Sequence, residues 1–369
     1  MKTIIKDNLR FIIVYSILVV IGIFVVIWGF NNYSMYKEPI VKITEVNDIL
    51  VSSEEVNGYK ENVYKQDISA VIKNGEDKGR IVKISNEYHY TQAYDQKYKV
   101  GDEIFISLNK RDGKIISTNI DNYKRDKYLI LISVVLVLTI ILVGKVRGFL
   151  SIFSVVINII LFYVIIHLNT KGISLVLLSY IGAILFSAIC LFLVSGFSKK
   201  SLATIVSSII SVSIIALLGI IVYKVNMGAG IHFEQMELLT RPYEEIFLAE
   251  LILGGLGAIM DISITMASSL NELIDKNNKI SVKALSKSGI TIGKDVMGTM
   301  INVLFFTYIC SVIPNLVIYF RNGLKVGNLL NEFISLEMAR ALVGAIGIVI
   351  TIPIAISISL LFFKGRLKK

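Results

Sequence analysis

Asp261 is an acidic side chain placed where an acidic side chain is expensive to keep. It has ten uncharged residues before it, 251–260, and ten after it, 262–271. A charged group at the centre of a bilayer costs about 2.5–3.5 kcal/mol on insertion scales. Such a residue should therefore turn away from lipid, toward protein or a water-filled cavity. Helix packing alone does not need a carboxylate at that depth. Intramembrane carboxylates are usual elements of proton and cation pathways, and that is the chemistry Asp261 suggests.

The neighbours of Asp261 fall in a helical register. Glu250, Gly254, Gly257, Asp261, Thr265, Ser268 and Glu272 recur at spacings of three or four and would share one helical face. Glycines on such a face let another helix approach, and hydroxyls hydrogen-bond across the gap. A second stripe carries Asp295, Thr299 and Asn302, with Gly298 beside it. A third begins with Glu337 and Arg340, an i, i+3 spacing suited to a structural ion pair, and continues through Gly344, Gly347 and Thr351. Pro314 and Pro353 sit in the second and third of these segments and can kink them. The expected assignment is a candidate pathway of Asp261, Thr265, Ser268, Asp295, Thr299 and Asn302. Gly254, Gly257, Gly298, Gly344 and Gly347 are expected at helix contacts.

Catalysis finds little support in the same residues. The chain has three histidines, His89, His167 and His232, and no HExxH, GxSxG or P-loop. His232 with Glu234 and Glu237 reads better as a solvated loop than as a metal site. Cys190 and Cys310 lie inside apolar runs, where a free thiol behaves as a small hydrophobe. The expectation is a chain that is not an enzyme, with no metal and no cofactor. The formal charge of +10 is spread in short clusters rather than one basic stripe, which argues against nucleic acid as a partner.

The elements that must position these residues are membrane helices. Of the 369 residues, 54% are hydrophobic and 18% charged, and the mean hydropathy is +0.69. Soluble domains are usually about 45–50% apolar and about 25% charged. Eight apolar stretches approach or exceed the length needed to span a bilayer: residues 11–30, 129–144, 149–167, 173–194, 202–222, 248–270, 296–320 and 339–363. The first follows Lys2, Lys6 and Arg10 and reads as an uncleaved signal anchor, with Trp28 and Tyr33 at the interface. Residues 31–127 are more polar. Alternating segments at 40–46, 66–72, 80–85 and 103–108 are split by Asn74-Gly75, Gly101-Asp102 and Asp112-Gly113. That pattern predicts a small extracytoplasmic β domain, an OB-like barrel or a sandwich. The expected organisation is an anchor helix at 1–30, a β domain at 31–127 and a seven-helix transmembrane bundle at 128–369.

Charge distribution sets the expected orientation. With the N-terminus in the cytoplasm, sixteen Lys and Arg fall on the cytoplasmic side. Six fall in the short external loops: Lys171, Lys224, Arg241, Arg321, Lys325 and Arg340. An internal excess is the usual bias, so both termini are expected in the cytoplasm. The strongest cytoplasmic signal is a Lys-rich loop at 275–294.

Two segments resemble a known family. GGLGAIMDISITMASSLNEL at 254–273 and GKDVMGTMIN at 293–302, continuing through Tyr308 to Pro314, are similar to signature stretches of the YibE/F family of bacterial multi-pass membrane proteins. The Glu337–Arg340 start of the last span and its glycines fit as well. The resemblance covers most of the chain and includes the order of one span, an external β domain and a bundle. Lys294 stands where members often have Arg, and Cys310 where a smaller residue is usual. The resemblance implies a bacterial cell membrane location, and it places Asp261, Asp295, Thr299 and Asn302 on motif positions. Members are commonly described as candidate transporters. Two functions follow as expectations. One is a secondary transporter, or ion- or proton-coupled carrier, of an unspecified small solute or ion. The other is a non-transporting envelope assembly or receptor protein whose β domain binds a partner. The bilayer is a partner in either case; an envelope protein or a second copy of the chain is the further candidate.

Overall fold

The computed structural model describes residues 2–366 except 57–58, 93–94, 112–113, 227–232, 234–241, 278, 322, 324 and 328–333. The Asp112-Gly113 turn and the group of His232, Glu234 and Glu237 therefore lie outside the described residues. The chain forms two compact units, residues 1–148 and 149–369. The division falls later than the boundary expected at 127, and packing inside the first unit explains why. Helix α1 (Lys2–Asn31) lies against the start of α2 (Asp126–Asn169). A Cβ added at Gly22 would stand 2.9 Å from Val134, and one at Gly29 would stand 2.8 Å from Ile130. Both glycines are close-approach positions between apolar helices.

The rest of the first unit is a five-stranded antiparallel sheet in the order β3-β2-β1-β4-β5. Its strands are β1 (Ile40–Val56), β2 (Tyr59–Ile72), β3 (Ile81–His89), β4 (Glu103–Arg111) and β5 (Lys114–Tyr123). Alternation dictates the buried face: Val41, Ile43, Ile68, Ala70, Ile72, Val82, Ile84, Ile104 and Ile106 form one apolar cluster. A one-residue slip would carry a strand's whole set to the other face, so burial fixes register. Gln66 is fully buried in the sheet without an unmet group. Its Nε2 donates to Asp48 and to the Tyr98 carbonyl at 2.8 and 2.9 Å, and its Oε1 accepts from Asn86 and the Tyr98 amide at 2.9 and 3.0 Å. The fifth strand was not expected from the sequence. Its run of Ser, Thr, Asn and Asp blurs the alternation.

Seven helices among the described residues are long and apolar enough to cross a membrane. Two of the eight expected spans, 129–144 and 149–167, fall on α2. This 44-residue helix breaks at Lys145, which takes φ 50° and ψ −126°. A Cβ at Gly148 would collide with the backbone carbonyl of Ile140. Along an unbroken helix those residues would stand about 12 Å apart, so the chain folds back at this point. A non-glycine residue at positive φ carries a local cost of about 1–3 kcal/mol.

The second unit contains α3 (Leu175–Ser195), α4 (Lys199–Asn226), α5 (Tyr243–Lys276), α6 (Val282–Arg321) and α7 (Ser335–Phe363). Helix α5 is central and packs against α3, α4, α6 and α7. It buries Phe247, Leu251, Ile259, Ile262, Met266, Leu270 and Ile274, which recur at helical spacing on one face. Glu245 in its first turn accepts hydrogen bonds from the Leu175 amide at 2.9 Å and the Ser174 hydroxyl at 3.3 Å. That carboxylate meets the free amides and positive dipole end of α3. The Lys-rich segment at 275–294 is largely helical rather than a loop. Ser281 accepts the Ala284 amide at 3.2 Å and starts α6, which carries Lys283, Lys287 and Lys294.

Candidate functional site

The polar stripe of α5 lies opposite its buried apolar face. Gly254, Gly257, Asp261 and Glu272 are exposed, and Thr265 and Ser268 half-buried. The reason is packing. The large apolar residues interlock with α4 and α7, and the small polar residues remain on the open side. Two chambers are cut there, both walled by α5, α3 and the second part of α2.

One chamber, about 740 Å³, is built around Glu250. Arg340 and Glu337, on α7, reach it together with Tyr308, Ser311 and Asn315 on α6. Arg340 makes the expected ion pair with Glu337 through Nη1 and a second pair with Glu250 through Nη2. Its guanidinium lies 5.7 Å from the Phe247 ring centroid. Arg340 and Glu337 are buried, whereas the Glu250 side chain is 46% exposed. Glu250 thus has one oxygen on Arg340 and one open to the chamber. Formally the three groups carry one net negative charge. Sequence reasoning placed Glu250 on the stripe but missed this pairing, which links residues 90 positions apart.

The other chamber, about 630 Å³, holds Asp261. Its walls are largely apolar, with Asn158 from α2, Cys190 and Ser195 from α3, and Gly257 from α5. Asp261 makes no hydrogen bond or ion pair with any described residue. Glu250 and Asp261 are eleven positions apart on the helix, about 16 Å along the axis. Phe162 of α2 lines both chambers.

The remaining expected residues divide. Thr265 and Ser268 continue the stripe beyond Asp261 but line neither chamber. Asp295, Thr299 and Asn302 occupy an exposed face of α6 and line neither chamber; the Thr299 hydroxyl donates to the Val296 carbonyl at 2.8 Å. Among the glycines, Gly254 packs against the Tyr308 hydroxyl, Gly344 against Leu304 and Gly347 against Ile215, so closely that a Cβ would collide. Gly257 and Gly298 meet nothing within 4 Å. They differ from the expected helix contacts because one opens into the Asp261 chamber and the other lies on the exposed face of α6. Phe162 and Tyr308 were not singled out as site residues. An aromatic in an apolar span gives no periodic signal that separates a cavity wall from a core.

Residues 132–365 match the family model described as YibE/F-like protein, and residues 34–123 match that described as YibE/F family N-terminal domain. No curated protein and no solved structure matches the chain. The two matched regions cover most of the chain, which belongs to the YibE/F family.

Proposed function

We propose that this member of the YibE/F family is a secondary carrier of a small solute or ion, coupled to protons or cations, in a bacterial cell membrane. Asp261 is the residue that carries the coupled proton or cation. The observation that carries the reading is the pair of chambers that share Phe162 in their walls, each with an accessible carboxylate on α5. An unpaired acid in an apolar wall is the arrangement that proton and cation pathways use. In this reading α2 crosses twice, as its fold-back at Lys145 supports. That makes eight spans, with both termini in the cytoplasm and the β domain outside. The β sheet is read as an OB-like, partly closed barrel. Bulges at Ile43/Glu45 and Leu50/Ser52 in β1 favour the needed bending.

The carrier reading is tested in vesicles containing the purified full chain and an internal pH dye. An imposed pH gradient should drive proton flux that falls by an order of magnitude or more in Asp261→Asn. It should persist in Glu272→Gln, a control on the same helix. Unchanged flux in Asp261→Asn removes that residue from the pathway. Absence of flux in the parent protein rejects proton coupling.

A specific feature favours the second reading, envelope assembly or reception. Ile49, Leu50 and Val51 are consecutive, apolar and more than half exposed on β1, in the hairpin it forms with β2. Consecutive exposed apolar residues of this kind suit a partner surface. Serine at all three positions should abolish the cellular phenotype and leave vesicle flux intact if assembly is the function. A phenotype that survives these changes but is lost in Asp261→Asn rejects it.

A further inference from the structure

The two chambers have a charge character that narrows what they accept. Their charged lining residues are Glu250, Glu337, Arg340 and Asp261, a formal total of −2 among the described residues. The two terminal nitrogens of Arg340 already face carboxylates, so the guanidinium is poorly placed to recruit an anion. Each chamber has the volume of a small-molecule site. Apolar side chains dominate both linings, and Phe162 belongs to both. A bare inorganic dication suits these walls badly. Calcium and magnesium take six or more ligands, mostly oxygen, and no group of three or more His, Cys, Asp or Glu placed to hold a metal ion occurs among the described residues. Polar atoms in the Glu250 chamber still lack partners. Ser179 is fully buried in its wall with an unbonded hydroxyl, and Nε of Arg340 is buried and unbonded.

We infer that the paired chambers bind a small organic cation with an apolar body and hydrogen-bonding groups, such as a protonated or quaternary amine. The assignment rests on the carrier reading for its direction of use, but the site stands as a binding site by itself. The open oxygen of Glu250 and the carboxylate of Asp261 supply two anionic stations. Phe162, common to both linings, adds an aromatic side chain, and cations are attracted to aromatic faces. The apolar walls take up the rest of the molecule. Charge complementarity selects this occupant over a lipid chain, which would gain nothing from two accessible carboxylates.

The probe is ethidium, a fluorescent aromatic cation bearing amino groups, read by fluorescence polarisation on the purified full chain in detergent. Saturable binding is expected. It should weaken by an order of magnitude or more in Asp261→Asn and in Glu250→Gln, and remain unchanged in Glu272→Gln. Anilinonaphthalene sulfonate, an anionic aromatic of similar size, should not compete. Asp261→Asn keeps the test secure if Glu250→Gln disturbs folding, because Asp261 holds no other described residue in place. Unsaturable binding, equal binding in both carboxylate variants, or competition by the anion overturns the assignment. Asp261-dependent proton flux without ethidium binding overturns the ligand class alone. Ethidium binding without such flux overturns proton coupling and leaves the site.

Discussion

Two charged clusters, one in each unit, use similar residues to opposite ends. In the first unit Lys124 is fully buried. Its Nζ donates to Asn32 at 2.8 Å and to both oxygens of Asp126 at 2.8 and 3.1 Å, with Glu103 4.0 Å away. Lys127 faces Glu103 at 3.5 Å, and the hydroxyls of Tyr33 and Tyr36 donate to Glu103 and Asp126 at 2.6 and 2.8 Å. Two lysines meet two carboxylates, and the charge sums to zero. The cluster ties the end of α1, strand β4 and the start of α2 into one joint. In the second unit one arginine serves two carboxylates, and Asp261 has no described partner. Closed clusters hold a structure in one arrangement. An unpaired charge costs stability, and a site that binds cations needs such a charge left open.

The largest effect that could break this contrast is expected at the joint. Lys124→Met leaves Asp126 and Glu103 without their shared cation, and removing one partner of a buried pair costs about 3–5 kcal/mol. The variant should show a sharply lower melting temperature in detergent, or fail to accumulate. A melting temperature equal to the parent's would show that the joint is dispensable and that the two clusters do not differ in kind.

The next effect runs the other way. Asp261→Asn breaks no described contact and removes a charge from an apolar wall. Its stability should match the parent's or exceed it by about 1 kcal/mol, since the loss of an unpaired charge is favourable. The same melting assay checks this beside the flux measurement. A fall comparable to that of Lys124→Met would mean that Asp261 is structural, and the contrast would fail on the bundle side.

What the sequence made legible follows the same division. The apolar stretches, the early strands, the Glu337–Arg340 pair and the odd position of Asp261 are local patterns, readable within a few turns of helix or strand. The Lys124 joint is not local, because its residues come from 32–36, 103 and 124–127 and become neighbours only after the sheet closes. The third member of the Arg340 cluster was hidden for the same reason. The stripe on α5 was correctly periodic, yet periodicity does not say which face packs. Here the large apolar residues took the core and the small polar face was left to the chambers. Gly257 and Gly298 were therefore expected at contacts that the fold does not make there.

The smallest expected effect belongs to a third arrangement, an exposed pair, and it calibrates the other two. His89 on β3 pairs with Asp95, which also accepts the His89 amide at 2.9 Å. The hydrogen bond to Asp95 holds the imidazole pKa above its ordinary value. Slight desolvation opposes it, and the charges of Asp95, Glu61 and Glu87 reinforce it. A raised folded-state pKa makes the sign definite. The stabilisation is complete below the unfolded histidine value, near pH 6.5, and is lost as pH rises through the higher folded value. Amide exchange of β3 in the full chain, corrected for the intrinsic pH dependence of exchange, should therefore be slower at pH 6 than at pH 9. His89→Gln should remove that difference. The change should be small, because water screens an exposed pair in a way that it cannot screen Lys124. A pH effect as large as the loss in Lys124→Met would break the ranking by burial on which the comparison of the two clusters depends.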